Sequence, residues 1–367
     1  MKAITPLQIY MMSTQFLFST AIGFFIGPLV LKAGFMSWIS VILGSGIGLA
    51  MTYLSFRLMQ RRPEEFLAHY GMHIVGRWPH YIIFACVLLI HLYMAAFVLR
   101  ELSDFIIQIY LPGTPEWAVV SLFGLCIARG VRSGPVHFFR SAQGLFLFSV
   151  ISVFTFPLFV SSEVDTEKLI AFVTDFHPGG IWDGTLISSA LFSETAFIVY
   201  LIPYFRNKER TFRMVAWSAL TAAFVTIANI VATLMLFGSE LTANLTYPTL
   251  EMIRYIWAGS FLENLDPLLI VFWLFSMLLK IGLFLMMGTL ITAHLFGLKD
   301  HKPFSYGMAA AMIVLSIAMF ESTADIEEST TQSQSILLLL KSSVPLLYLL
   351  VDSLRAWKGR KLAGQAD

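Results

Sequence analysis

The sequence is poor in charge and in cysteine. Only 13% of its 367 residues are Asp, Glu, Lys or Arg, about half the share usual in soluble domains. The formal net charge is +1, which leaves no basic face to follow a phosphate backbone and excludes nucleic acid as a partner. The two cysteines, Cys86 and Cys126, both lie in apolar stretches, so neither a disulfide framework nor a zinc site can be built from them. No nucleophile motif, metal-ligand box or phosphate loop is visible, so neither an enzyme, a cofactor nor a metal is expected. The opening MKAITPLQIY runs into a long hydrophobic stretch without a small-residue cleavage site. That pattern predicts a retained first span rather than a signal peptide.

What the chain has in abundance is apolar surface, with 57% hydrophobic residues. A soluble domain has no interior large enough for it, so the composition predicts an all-α polytopic membrane protein in the lipid bilayer. Helices follow because open sheet edges cannot face lipid. A span needs about 20 apolar residues. Ten segments qualify: 7–31, 36–56, 80–105, 115–130, 142–160, 185–205, 214–238, 267–296, 304–320 and 333–354. The expected organisation is one transmembrane domain over 1–367, with a repeat at about 7–160, a second at about 185–354 and a tail at 355–367.

Basic residues set the direction. With ten spans, 18 of the 24 Lys and Arg fall on the side that carries both termini. Only Lys32, Lys168 and Arg254 fall on the other side, and Arg100, Lys280 and Lys341 lie within spans. The excess marks the termini as cytoplasmic. The outer loops are acidic, with Glu163, Asp165, Glu167, Asp175 and Asp183 in one and Glu321, Asp325, Glu327 and Glu328 in another. Two connections predict short helices. Residues 63–77 repeat Phe66, Tyr70 and Ile74 at every fourth position, and 247–263 place Leu250, Ile253 and Trp257 on one face.

Function in such a bundle is sought where the rules of the oil layer are broken. Span 1 contains TAIGFFIGP, with Gly23, Gly27 and Pro28 in mid-membrane. Gly costs about 1 kcal/mol and Pro about 3 kcal/mol in a helix interior. The freed backbone must meet protein, water or ligand. Span 6 buries Glu194 between Ser193 and Thr195. A bare carboxylate at that depth costs about 2.5–3.5 kcal/mol on insertion scales, so it must be paired, protonated or wet. Lys280 in span 8 lies too deep to snorkel. It either stands in for a bound cation at a broken helix or pairs with Glu194. Span 3 carries His91 at mid-depth, with Arg100, Glu101 and Asp104 nearer the outside. Arg100 and Asp104 are one turn apart and can pair. Spans 1 and 6 hold corresponding places in two halves of five, the pattern of an inverted-repeat carrier with a midplane site.

Several stretches resemble a known family. They are ITPLQIY at 4–10, LPGTPEW at 111–117, TYPTLEMIRYIWAGSFLENLDPLLIVFWLFSMLLKIGLFL at 246–285 and TAHLFGL at 292–298. With them the chain resembles the B subunit of the GerA-type spore germination nutrient receptors, a branch of the amino acid–polyamine–organocation superfamily. It departs from the family's habit at Met36-Ser37-Trp38, at Asn264 and at Phe284. The resemblance implies a LeuT-like fold of ten transmembrane helices in a 5+5 inverted repeat, with helices 1 and 6 broken. It implies a subunit of the spore inner membrane that binds a small germinant (an amino acid, sugar or nucleoside) and works with A-type and C-type receptor subunits. Carried over by position, the ligand site would comprise Thr20, Ala21 and Gly23, then Phe192, Ser193 and Glu194, then Met277 and Phe284, with Lys280 replacing a cation. His91 joins them from the reading of span 3. The alternative is an ion-coupled amino acid or amine permease.

Overall fold

A computed structural model of the chain describes residues 3–159, 165–255, 266–298, 300–320 and 323–363. Lys2, Glu163, Trp257, Asn264, Lys299 and Glu321 lie outside them. The described residues are helical almost throughout. In chain order the helices are α1 Pro6–Gly23, α2 Ile26–Ala33, α3 Ser37–Arg61, α4 Leu67–Val75, α5 Arg77–Ile109 and α6 Glu116–Arg132. They continue with α7 Pro135–Ser141, α8 Phe146–Phe159, α9 Ala171–Thr174, α10 Pro178–Ser193 and α11 Thr211–Asn244. The last are α12 Pro248–Tyr255, α13 Asp266–Leu295, α14 Phe304–Ala318 and α15 Thr323–Ala363. Each of the ten apolar segments is helical over most of its described length. Spans 4, 6 and 9 rest on the shorter α6, α10 and α14, of 17, 16 and 15 residues. Span 5 rests on α8, and the short α7 just before it meets α8 at a bend of 44°. The two short amphipathic pieces are α4, with Tyr70 and Ile74 buried, and α12, with Leu250 and Ile253 buried.

The chain starts α1 cleanly. Thr5 caps it, its hydroxyl accepting from the Gln8 amide while the Gln8 side chain accepts from the Thr5 amide. This reciprocal box satisfies two donors that the first turn would otherwise orphan. The break in span 1 then comes where glycine and proline predict it. α1 ends at Gly23, two phenylalanines intervene, and α2 starts at Ile26. Pro28 falls in the first turn of α2, where a missing N–H costs nothing.

The interruption of span 6 takes a different form. α10 stops at Ser193 and the chain tightens into a 3-10 helix over Glu194–Tyr200. Hydroxyls bond back three residues, Ser193 to the Ala190 carbonyl and Thr195 to the Phe192 carbonyl. With three residues per turn, Glu194, Phe197 and Tyr200 lie one above another.

The largest interhelical contacts join α3 to α10, α1 to α11, α5 to α13 and α6 to α14. In spans these are 2 with 6, 1 with 7, 3 with 8 and 4 with 9. Exchanging each span with the one five places later maps this set onto itself, as a five-plus-five repeat requires. The α3–α10 contact is close because Gly44 and Gly48 present bare backbone. A Cβ at Gly44 would lie 2.3 Å from the Cβ of Ser188, and one at Gly48 would lie 2.6 Å from that of Phe192. Small residues at four-residue spacing are how helices approach where no hydrophobic force drives them together. Below them Thr52 and Thr195 share a hydroxyl–hydroxyl bond of 2.7 Å.

One face of the bundle gathers both chain ends. The Ile4 amide donates to the Tyr204 carbonyl and the Arg206 amide to the Ile4 carbonyl, at 2.8 and 2.9 Å. Arg61 pairs with Asp352, Lys208 with Glu64 at 2.5 Å, and Arg355 donates to the His73 carbonyl. These are the basic connections that the charge count assigns to a single side.

Candidate functional site

Lys280 sits midway along α13, about 21 Å from either end at 1.5 Å per residue. Its Nζ lies 2.7 Å from Glu194 Oε2, and each side chain is only 1% exposed. Of the two roles open to it in the sequence, the ion pair is realised. The ammonium also lies 4.7 Å from the Phe16 ring centroid and 5.8 Å from that of Phe284. A cation over an aromatic face gains from the ring quadrupole, the more so when desolvated.

This pair lines a cleft whose space, open mouth included, is about 570 Å³. The wall is built by spans 1, 3, 6, 8 and 10. Thr20, Glu101, Glu194, Lys280 and Gln334 supply polar groups, and Phe24, Phe25, Met94, Phe97 and Leu338 supply apolar surface. Such a mixture suits a small ligand with a polar head and an apolar body.

The break in span 1 borders this cleft on one side and a second hollow on the other. The second hollow, about 340 Å³, lies beneath α12 and is lined by Gly23, Phe105, Tyr247, Thr249 and Trp273 among others. Carbonyls near the end of α1 take hydrogen bonds from neighbouring elements. Trp273 Nε1 donates to the Ser19 carbonyl at 2.7 Å, and Thr249 Oγ1 donates to the Ile22 carbonyl at 3.0 Å. Unpaired carbonyls at that depth would be costly. Gly23 is needed for this closure, since a Cβ there would lie 2.4 Å from Trp273 Cζ2.

The structure thus brings together Thr20, Glu194 and Lys280 in the cleft, with Phe284 directly behind the ammonium. It places Gly23 in the second hollow. Ala21 is buried in an apolar cluster with Leu17 and Phe25, and Phe192 is packed against span 2. Ser193 bonds to its own helix, and Met277 is buried in the main core. His91 is fully buried, edge-on to Tyr200 at 5.8 Å, its Nδ1–H donating to the Val87 carbonyl.

Three neighbours went unrecognised in the sequence. Phe16 looks like any core residue. Glu101 reads as part of the Arg100–Asp104 cluster near the outer end of span 3. In the structure Arg100 turns to Asp104 at 3.1 Å and to Glu116, while Glu101 faces the cleft. Adjacent helix positions point about 100° apart, so this division was available from helix geometry. Gln334 lies near the start of span 10, distant in sequence from the other residues of the cleft.

Comparison with known proteins gives the family and the fold. The family model described as spore germination protein matches residues 3–324. Among curated relatives, spore germination protein KB of Bacillus subtilis (strain 168) is 23% identical over 290 residues, 78% of each chain. YndE of the same organism is 22% identical over 325 residues, 87% of each chain. Spore germination protein XB of Bacillus anthracis is 24% identical over 257 residues, 70% of this chain and 72% of that one. Two solved transporter structures share the fold. MhsT in complex with L-phenylalanine superposes with a TM-score of 0.70 at 12% identity, covering 95% of this chain and 88% of that one. Mhp1, a nucleobase-cation-symport-1 family transporter in a closed conformation with bromovinylhydantoin bound, gives 0.65 at 13% identity, covering 95% and 78%. With a LeuT-like bundle, an interrupted first and sixth span and a family match over nearly its whole length, this chain belongs to the spore germination protein family, that of the B subunits of GerA-type receptors.

Proposed function

We propose that the protein is the nutrient-sensing subunit of a spore germination receptor, taking a small germinant such as an amino acid into the cleft lined by Lys280 and Glu194. The observation that carries this reading is the buried ion pair lining a cleft that also touches the broken first span. An ammonium tethered to its helix cannot be released and rebound in each cycle as a coupling ion is. It leaves the cleft suited to a ligand whose binding energy differs between two states of the bundle, and only such a difference moves an equilibrium. The shift would pass to A-type and C-type partner subunits in the spore inner membrane, with both termini on the cytoplasmic side. The basic face that gathers both chain ends supports that orientation.

The test uses spores whose only receptor contains this chain with its A-type and C-type partners. They are exposed to a panel of amino acids, sugars and nucleosides, and germination is followed by loss of optical density. One class should trigger the wild type, and Lys280→Ala should abolish the response at equal protein level. A variant as sensitive as the wild type would overturn the reading. Saturable, ion-coupled uptake of the same nutrient into proteoliposomes by this subunit alone would favour a permease.

A further inference from the structure

Beyond the cleft, the buried polar side chains of the bundle form a line. On α5, His80, His91 and Glu101 are all buried, 11 and 10 residues apart, or about 16 and 15 Å along the axis. On α15, Gln334, Lys341 and Tyr348 repeat every seven residues, which keeps them on one helix face. Between these ladders the 3-10 segment stacks Glu194 and Tyr200, and α13 supplies Lys280 and Phe284.

The line can be followed by contact. Glu101 and Gln334 face the cleft with the Lys280–Glu194 pair. One step deeper, Phe284 has Lys341 Nζ 4.7 Å from its centroid and the His91 ring at 6.1 Å. Tyr200 meets His91 edge-on, and Tyr200 and Tyr348 both flank Phe84, at 6.1 and 6.3 Å. Tyr348 donates its hydroxyl to His80 Nδ1 at 2.8 Å, and His80 Nε2–H donates to the Ala68 carbonyl of α4 at 2.8 Å. That last contact lies on the face that carries the termini.

Four atoms along this line have no hydrogen-bond partner among the described residues: Gln334 Nε2, Lys341 Nζ, His91 Nε2 and Tyr200 Oη. Lys341 is only 4% exposed. A buried polar group left unsatisfied costs about 1–3 kcal/mol, more if charged. Four on one line offer hydrogen bonds to bridging water, which needs two to four such partners. We propose that this column conducts protons between the cleft and the face that carries the termini.

Each step balances. The Glu101 carboxylate takes a proton from the cleft and passes it to bridging water. The Lys341 ammonium gives one proton inward, and the resulting amine takes the next from the outer side. His91 accepts at Nε2, the one ring nitrogen not already donating, and releases to water beside Tyr200. Tyr348 gives its hydroxyl proton to His80 Nδ1 as it receives one from the column, His80 gives its Nε2 proton to water at the face that carries the termini, and rotation of the imidazole restores the starting tautomer. One proton enters for each that leaves, with no change of oxidation state. Sodium and potassium have no such relay, because a metal cation cannot be handed from carboxylate to amine to imidazole as a proton is.

The proposal is independent of the germinant's identity. Purified full-length protein is reconstituted in liposomes containing the pH dye pyranine. A valinomycin potassium gradient then makes the interior negative. The wild type should acidify the interior severalfold faster than protein-free vesicles. Lys341→Met and the near-isosteric Tyr348→Phe should fall to the protein-free rate. Tyr10→Phe, whose hydroxyl bonds to Thr221 outside the column, should keep the wild-type rate. A wild type no faster than empty vesicles, or a Tyr348→Phe variant conducting like the wild type, overturns the proposal.

Discussion

Trp273 lies across Gly23 so closely that its indole N–H reaches past the glycine to the Ser19 carbonyl, 2.7 Å away. Span 8 thereby closes one side of the break in span 1, and the same helix, two turns further on, carries Lys280 on the other side. Any residue larger than glycine at position 23 must push the indole away. Gly23→Leu is therefore expected to lose the Trp273–Ser19 bond and to abolish germinant response. Quenching of tryptophan fluorescence by acrylamide should rise in the purified variant, and unchanged quenching with normal germination would contradict this account.

Removing Lys280 alone leaves the buried Glu194 carboxylate without its ion-pair partner. Breaking one side of a buried pair typically costs about 3–5 kcal/mol, whereas replacing both members by apolar or neutral groups is often close to neutral. Lys280→Ala should lower the thermal midpoint in detergent. The double variant Lys280→Met with Glu194→Gln should recover most of the loss, yet remain unresponsive to germinant. Recovery of the response by the double variant would show that the pair only sets packing.

The closeness of spans 2 and 6 depends on Gly48, where a Cβ would strike both the backbone and the Cβ of Phe192. Gly48→Leu should separate the two helices and break the Thr52–Thr195 bond. Overpacking of this kind costs about 1–3 kcal/mol or more. A thermal scan should show the loss, and an unshifted midpoint would mean that the contact is looser than drawn.

Thr249 of α12 donates to the Ile22 carbonyl at 3.0 Å, tying the outer connection to the end of α1. Thr249→Val keeps the shape and removes the donor. An intramolecular hydrogen bond contributes about 0.5–1.5 kcal/mol net, so the half-maximal germinant concentration should move by up to about tenfold. A dose–response curve on single-receptor spores checks this, and an unmoved curve would uncouple α12 from the site.

Much of this architecture is legible from local chemistry. Apolar length and the one-sided distribution of Lys and Arg mark the ten helical segments, and Gly23 with Pro28 marks the interruption of span 1 within a residue or two. Glu194 and Lys280 announce themselves because charge is expensive at that depth. What covers Gly23 was not legible, since Trp273 is 250 positions away in sequence and nothing local selects it. The 3-10 form of span 6 was hidden for another reason. The back-bonding of Ser193 and Thr195 is a hydroxyl rotamer choice, and the same residues occur in ordinary α-helix. Carrying Ala21, Phe192 and Met277 over by position took no account of side-chain direction, and all three are packed into the core.

Ile4 lies as a single rung of parallel strand beside Phe205, stitching the leader of the first helix to the exit of the sixth. The ends of the two interrupted rods on this face are thus joined by main-chain bonds, which of all substitutions only proline at position 4 or 206 removes outright. A displacement of either rod at this end must therefore carry the other along or break both bonds.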